Sequence, residues 1–468
     1  MQPHDMQPHA SPGGSRRRRP PVIATRRMVA LTGGLCASPG GMVLIRHLSA
    51  GSAGPASTMQ PPSGNFGGGA NTMQYDYSGS YSVSLTVGED STAVIDGTDI
   101  TASSSGSNGV FATDSGTALV NDTSIETMAD NSRGLDATYG GTISANKITA
   151  DTQGGHSAIV ATDRGGGSIS LADATLSTAG SGSPLLYSTG DIQVNNVSGT
   201  SSGSQIAGME GLNTILIKDS TLESTVTGKT ASDPIANGTI IYQSTSGDAE
   251  ASTGEHATFQ SVDSTLSSAI GSGSMFYFTN TTADVVLQNT ELDFDTDAAT
   301  LINASGNDSN NRGSTGSNGA TVNFTGRDQT LACGVTADTI SSVGLYLLEG
   351  AAWTGAATVT DNAAAGSGTG TASDAPITVN VDGTSTWVVA KDTTISALNV
   401  ASGGDGNTVT IVANGKTVVS GSGDVTVTVT GSYSTSVSAG SDTELSSDTI
   451  DRSEFDSRFG TSTAWTMA

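Results

Sequence analysis

The sequence predicts an all-β fold, a right-handed parallel β-helix with coils of about 21–26 residues and a β-rich C-terminal cap. A short apolar phrase recurs eight times between residues 108 and 304, at spacings of 25, 24, 26, 21, 34, 35 and 26 residues. A second apolar phrase alternates with it, and turn-forming Gly, Ser, Asn and Asp separate the two. A period of this length indicates stacked units, none of which buries its apolar face alone.

Each phrase has one apolar residue, its anchor, that is expected to face the core. The anchors of the first phrase are Val110, Leu135, Ile159, Leu185, Ile206, Ile240, Met275 and Leu301. The anchors of the second phrase are Ile125, Ile148, Leu176, Val197, Leu222, Leu266 and Leu292. The segments are too short and too rich in Thr, Val, Ile and Ser for helices, so we expect strands whose anchors stack from coil to coil. Two long spacings predict loops over 226–238 and 246–256 on one side.

Composition divides the chain into six predicted segments. They are a basic, leader-like or disordered segment over 1–58, a Gly-rich linker over 59–74, the parallel β-helix over 75–360, a flexible break over 361–376, terminal β coils or a cap over 377–443, and a tail over 444–468. In the tail we expect a short helix or extended chain with Phe455 and Phe459 on one face.

The N-terminal segment has the features of an export signal. Arginines at 16–19, 26 and 27 precede a weakly apolar run and a small-residue exit, and residues 25–29 resemble a relaxed twin-arginine signal. Two other interpretations stay open, a disordered basic arm and an upstream extension of the reading frame with Met59 as the true start. The apolar run is too short and too interrupted to predict a membrane span.

The formal net charge of −26 is unevenly distributed. Residues 1–58 hold seven Arg and one acidic residue, which leaves 11 basic and 43 acidic residues from Met59 onward. A body this acidic repels nucleic acid and anionic lipid, so neither is an expected partner. Solubility and the blocking of strand edges explain the acidity, and binding of divalent cations in turns is the alternative.

No cofactor or metal is expected, with calcium as the alternative. Asp295 with Asp297, or Asn307 with Asp308, are turn residues whose oxygens suit calcium. The sequence contains neither the glycine-rich calcium nonapeptide repeat nor an EF-hand loop. Two cysteines are too few for a disulfide framework or a thiolate metal site.

One polar column is a candidate catalytic site. Four residues after their anchors, consecutive coils carry Asp114, Tyr139 and Asp163, and Arg164 follows directly. A sugar groove could use Tyr139 for stacking, Asp114 and Asp163 as acid and base, and Arg133 or Arg164 to hold an acidic sugar. Solvated polar residues are expected beside Gly-rich turns in any case. We therefore expect no catalytic residue and keep this column for the enzymatic alternative.

The repeats resemble a known class of bacterial proteins. Phrases such as STLEST, short strands bounded by Gly, and the late segment STWVVAKDTTISALNVASGG are similar to autotransporter passenger regions and adhesin-like right-handed β-helix proteins. The resemblance covers about residues 75–432. It implies secretion to the cell surface and contact with host glycans, matrix or other cells.

These observations predict a non-enzymatic, adhesin-like protein at the cell surface or outside the cell. Its rod presents loops near 226–256 and 305–319 to glycans or to surface proteins of other cells. The alternative is a carbohydrate-active enzyme, a polysaccharide lyase or a glycoside hydrolase, with its site near Asp114, Tyr139 and Asp163. No stable membrane span is expected in the body of the chain.

Overall fold

A computed structural model describes most of the chain from residue 91 onward. The described residues are 91–244, 254–309, 312–364, 376–401, 409–421, 423–447 and 449–468, together with the backbone of 35–37, 42–45, 48–50 and 81–88. The predicted linker over 59–74 and most of the predicted leader lie outside these ranges. The described part is all-β and forms a parallel β-helix, as the repeats predict.

Sheet A is a stack of short parallel strands, to which each coil adds one. With all strands numbered in chain order, its members are β1 (Leu35–Ala37), β4 (Tyr81–Val87), β6 (Ser107–Thr113), β8 (Leu135–Ala137), β10 (Val160–Thr162), β12 (Leu186–Ser188), β14 (Ala207–Glu210), β17 (Asn237–Tyr242), β20 (Ser274–Thr279), β23 (Thr300–Ala304), β26 (Val335–Asp338) and β29 (Ala357–Thr360). Each strand hydrogen-bonds to the next member, so the backbone polar groups are satisfied between coils.

Sheet B completes the coils, and sheet C adds one short strand to each of three later coils. Sheet B contains β2 (Met42–Ile45), β3 (Leu48–Ala50), β5 (Thr92–Ala102), β7 (Thr117–Thr127), β9 (Gly141–Thr152), β11 (Gly167–Thr178), β13 (Asp191–Ser201), β15 (Thr214–Lys218), β16 (Thr221–Ser224), β18 (Ala257–Val262), β19 (Thr265–Ser268), β21 (Thr281–Gln288), β22 (Glu291–Phe294), β24 (Ala320–Arg327), β27 (Ser342–Leu348), β30 (Ile377–Val381), β32 (Thr393–Val400), β33 (Thr410–Ala413), β34 (Lys416–Val419) and β35 (Thr426–Ser434). Sheet C contains β25 (Thr330–Ala332), β28 (Ala352–Gly355) and β31 (Thr386–Val389). Near the C-terminal end, β33 and β34 pair as an antiparallel hairpin.

A sharp corner recurs within the sheet B part of the coils. One residue per corner adopts a left-handed backbone with φ between 43° and 58°, and these residues are Gly97, Asp122, Lys147, Asp173, Asn196, Asp219, Asp263, Asn289, Asp328 and Glu349. Most are Asp, Asn or Gly, the residues that tolerate this conformation best. The corner lies within the long strands of the early coils and separates β15 from β16, and β18 from β19, in later ones.

The core of sheet A matches the predicted anchors in the first coils and departs from them by one residue in later ones. The aligned inward residues are Val110, Leu135, Val160, Leu186, Ala207, Thr239, Phe276, Ile302 and Val335. The predicted anchors Ile159, Leu185, Ile206, Met275 and Leu301 lie one position earlier and are also buried, whereas Ile240 lies one position later, on the outward face. That earlier position is occupied by Gly109 and Gly134 in the first coils, so an alignment on apolar letters shifted the register by one.

The predicted tail binds along the outer face of sheet B. We name residues 441–468 the C-terminal clasp. It contains a 3₁₀ turn, Ser441–Thr443, and the helix α1, Ser453–Phe459. Phe455 is fully buried with Phe459 beside it, and both pack on Val94 and Leu119 of early coils. The expectation of a short helix with both rings on one face is therefore confirmed.

The clasp contacts coils that are far apart in sequence. The Arg452 guanidinium donates to the carbonyl oxygens of Ser170 at 2.6 Å and Ala145 at 3.0 Å. Further along, Met467 is buried against Leu216 and Val262. The clasp thus joins several coils to one another, in addition to the contacts between neighbouring coils.

Candidate functional site: a lateral groove on sheet A

A groove of about 390 Å³ lies on the outward face of sheet A. Tyr187 of β12, Gly208 of β14 and Ile240 of β17 are in register and line its floor. These positions directly follow the inward column, and alternate side chains of a strand point to opposite faces. The floor therefore depends on the stacking of three consecutive coils.

Gly208 leaves a gap in this floor between Tyr187 and Ile240. A Cβ at Gly208 would lie 3.5 Å from Cδ2 of Tyr187 and 3.7 Å from Cγ2 of Ile240, which are ordinary contact distances. Alanine therefore fits at this position, whereas a larger side chain would extend into the groove. Gly208 therefore affects the depth of the groove at this point.

A buried carboxylate lies next to the floor. Glu210 is 2 % exposed, and its Oε2 accepts hydrogen bonds from the hydroxyls of Tyr187 at 2.7 Å and Tyr242 at 3.0 Å. Burial raises the pKa of both phenols well above the ordinary value, and the charge of Glu210 adds to the shift. Both hydroxyls therefore stay protonated at neutral pH and act as donors.

One wall of the groove comes from the coils that precede the floor. Nη2 of Arg133 lies 2.5 Å from Oδ2 of Asp163, and both side chains keep about a fifth of their surface exposed. Arg164 and His156 also line the groove. This wall is therefore polar and accessible.

Another part of the lining comes from two loops that leave the coils. Arg312 donates from Nη2 to Oδ1 of Asp233 at 3.0 Å, and from Nη1 to the carbonyl oxygen of Ser232 at 2.8 Å. Its guanidinium carbon lies 4.5 Å from the ring centroid of Tyr242. Burial raises the pKa of Asp233, against the lowering effects of a hydrogen bond from Asn237 and the charge of Arg312.

The predicted catalytic column is divided by the structure. The register that pairs Thr162 with Ala137 aligns Tyr139 with Arg164, so Asp163 lies one position away from the column of Asp114 and Tyr139. The cause is again the choice of Ile159 as an anchor. Asp163 and Arg164 line the groove, whereas Asp114 and Tyr139 do not.

The predicted contact loops do supply part of the site. Ala231, Ser232 and Asp233 come from the loop predicted over 226–238, and Arg312 comes from the segment predicted over 305–319. Residues 245–253 lie outside the described residues. Tyr187 and Tyr242 were not predicted as site residues. Each follows a pair of apolar residues in a short strand, and an aromatic residue at that position could have indicated a binding surface on the outward face.

A second depression, of about 700 Å³, follows the left-handed corner of the later coils. Four acidic residues line it, namely Asp219, Asp263, Glu291 and Asp328. Its remaining lining contains no Lys, Arg or His among the described residues. This depression is acidic, whereas the groove on sheet A contains three arginines. The depression shows no further sign of a ligand.

The residues predicted for calcium lie in turns with hydrogen bonds of their own. Oδ1 of Asp295 accepts from the backbone N–H of Asp297, and the amide of Asn307 donates to Oγ1 of Thr279. Asp308 lines a separate depression. Among the residues that the structure describes, no three His, Cys, Asp or Glu side chains come together as metal ligands.

A histidine–aspartate pair, which the sequence did not predict, lies beside sheet B. Nδ1 of His256 is 2.7 Å from Oδ2 of Asp284, whose Oδ1 accepts from the amide of Asn323 at 2.9 Å. The three residues come from separate coils. Neither His256 nor Asp284 lines the groove, and no nucleophile is seen against the pair among the described residues.

Comparison with known proteins found no match for this chain among protein-family models, curated proteins or solved structures. The described residues include no helix with the length and apolar character needed to cross a bilayer.

Proposed function

We propose that this protein is a non-enzymatic, adhesin-like binding protein of the bacterial cell surface or the extracellular space. The β-helix acts as a rigid rod, and the groove on sheet A binds glycans of other cells. Surface proteins of other cells are the second class of partner. The acidic body disfavours nucleic acid as a partner.

The observation that carries the proposal is the make-up of the groove. Tyr187 and Tyr242 offer aromatic surface, while Arg133, Asp163 and Arg312 offer charged donors and acceptors. Ligand sites are usually concave and combine aromatic surface with a few placed polar groups. Sugars present both C–H faces and hydroxyls, so this combination suits them.

The rod explains why the site lies on the side of the molecule. Coils stack along one axis, so the same outward position of sheet A recurs in successive coils. Insertions of different length can then build walls above that face without breaking the stack. The loop around Asp233 and the segment around Arg312 are such insertions.

Filling the gap at Gly208 tests the proposal. With the full chain, a panel of immobilised glycans identifies ligands, and calorimetry then measures the dissociation constant. We expect Gly208→Leu to weaken binding at least tenfold, because its side chain occupies the floor. Gly208→Ala is the matched control and should bind within about twofold of wild type. Equal binding by Gly208→Leu, or no glycan ligand for the wild type, contradicts the proposal.

A glycan-cleaving enzyme is the second candidate. Asp163 and Asp233 line the same groove, and burial raises the pKa of Asp233, which suits a general acid. The same panel is therefore followed for released products. Turnover that is abolished by Asp163→Asn or Asp233→Asn would favour the enzyme, whereas binding without turnover favours the adhesin-like function.

A further inference from the structure

We propose that the groove on sheet A selects sugars that carry a carboxylate, with Arg164 as a residue that determines this specificity. The inference rests on the proposed glycan-binding function and names the class of ligand. Arg133, Arg164 and Arg312 form the cationic part of the groove.

The distribution of arginine is the first argument. From Met59 onward the chain has six arginines, namely Arg133, Arg164, Arg312, Arg327, Arg452 and Arg458. The first three line this one groove, although acidic residues outnumber basic ones by 43 to 11 over the same part of the chain. A local concentration of cations in a concave site attracts an anion even where the rest of the molecule repels it.

The charge balance of the lining is the second argument. Three guanidinium groups face two lining carboxylates, those of Asp163 and Asp233. Glu210 lies beside the floor, where it is 2 % exposed and accepts hydrogen bonds from Tyr187 and Tyr242. Among the described residues that line the groove, guanidinium groups outnumber carboxylates by three to two. A ligand with one carboxylate and several hydroxyls matches this lining, because Asp163 can accept hydrogen bonds from hydroxyls.

Pre-orientation of the cations is the third argument. Arg133 is held by Asp163, and Arg312 is held by Asp233 and by the face of Tyr242. The fixed fork of a guanidinium matches the two oxygens of a carboxylate and allows two parallel hydrogen bonds. Arg164 follows Asp163 directly, and its backbone N–H donates to Oδ1 of Asp163 at 3.0 Å. The side chain of Arg164 lines the same groove.

The test compares acidic sugars with uncharged forms of the same sugars. The full chain is titrated with oligosaccharides that contain galacturonate, glucuronate or sialic acid, each beside its methyl ester. We expect at least one acid form to bind tenfold or more tightly than its ester, with affinity falling as salt rises. Arg164→Gln should weaken the acid form at least tenfold and leave the ester unchanged, and Arg164→Lys should restore part of the loss.

The control variant is Arg327→Gln. Arg327 pairs with Glu349 and Glu444, away from the groove, so this variant should bind as the wild type does. Thermal unfolding of both variants excludes a folding defect as the cause of lost binding.

Four outcomes overturn the inference. If the esters bind as tightly as the acids, or Arg164→Gln has no effect, the carboxylate is not recognised but the glycan-binding function stands. If a sulfated oligosaccharide binds more tightly than its carboxylated counterpart, the ligand class is wrong. If no glycan binds, the inference and the proposed function fail together.

Discussion

Single glycines in sheet A have opposite roles that depend on what surrounds them. At Gly109 a Cβ would lie 2.5 Å from Cγ2 of Ile125 and 2.7 Å from the carbonyl oxygen of Gly134. Both distances are below normal contact, and the second involves backbone that cannot move aside. Gly109 is thus required by packing, whereas a Cβ at Gly208 would meet only ordinary contacts, at 3.5 Å or more.

This contrast gives a prediction for stability. Gly109→Ala should lower the free energy of unfolding by about 1–3 kcal/mol, because overpacking a core forces neighbours to shift. Gly208→Ala should leave it unchanged or raise it by about 0.5–1 kcal/mol, since alanine loses less backbone entropy in a strand than glycine. Thermal or denaturant unfolding measures both. An equal effect of the two substitutions would contradict the packing argument.

At the scale of the elements, the sequence predicts the stack but not its exact register. Apolar periodicity identified the strands and the inward faces, because burial demands them in every coil. It could not detect that Gly109 and Gly134 take a core position, since glycine has no apolar side chain to mark it. Asp163 was therefore grouped with Asp114 rather than with the groove.

The groove was only partly predictable for a related reason. Arg312 reaches Asp233 from 79 residues away, and local spacing does not specify which insertions meet above a sheet. The loop at 226–238 was predicted from its length, and its role in a wall follows only from the fold. The docking of α1 on Val94 and Leu119 is likewise a long-range contact without a periodic signal.

The clasp has a carboxylate whose titration should affect its docking. Burial alone would raise the pKa of Asp456, but hydrogen bonds from Thr463 and Thr461 outweigh it and lower the pKa below the ordinary 3.8. Asp456 in the folded, docked clasp therefore binds fewer protons than Asp456 in a clasp that has detached and unfolded. The stabilisation that ionised Asp456 gives to the docked clasp is present above about pH 4. It is lost as the pH falls through the lowered pKa of Asp456.

We therefore expect acid to release the clasp before the coils unfold. The fluorescence of Trp465, which packs near Leu216, should change below about pH 4 in a variant that keeps Trp465 as its one tryptophan. Asp456→Asn should flatten this transition, and Glu454→Gln on the same helix is the control. A transition of equal size in Asp456→Asn would show that another group is responsible.

At the scale of the whole molecule, two kinds of contact hold the rod together. Parallel pairing links each coil to its neighbours, which alone gives a nearly one-dimensional system in which coils can unfold in stages. The clasp contacts Val94, Ser170 and Val262, which lie on sheet B strands of coils that are not neighbours in the stack. It therefore couples distant coils.

Removal of the clasp should reduce this coupling. A chain ending at residue 440 is expected to unfold over a broader range of temperature, with a first transition in the early coils. Burial of Phe455 alone contributes about 2 kcal/mol of apolar stabilisation. Calorimetry of this variant beside Phe455→Ala separates loss of the helix contact from loss of the whole clasp. A single sharp transition at the wild-type temperature would contradict the coupling.

The position of the clasp also fixes the order in which the molecule can be completed. Because the clasp follows in sequence every coil that it contacts, Val94 and Leu119 remain uncovered until the segment around Phe455 has been synthesised. The outer face of the early coils is therefore covered only after the clasp has been synthesised. During that interval the apolar surface on their outer face is open to other chains or to a chaperone.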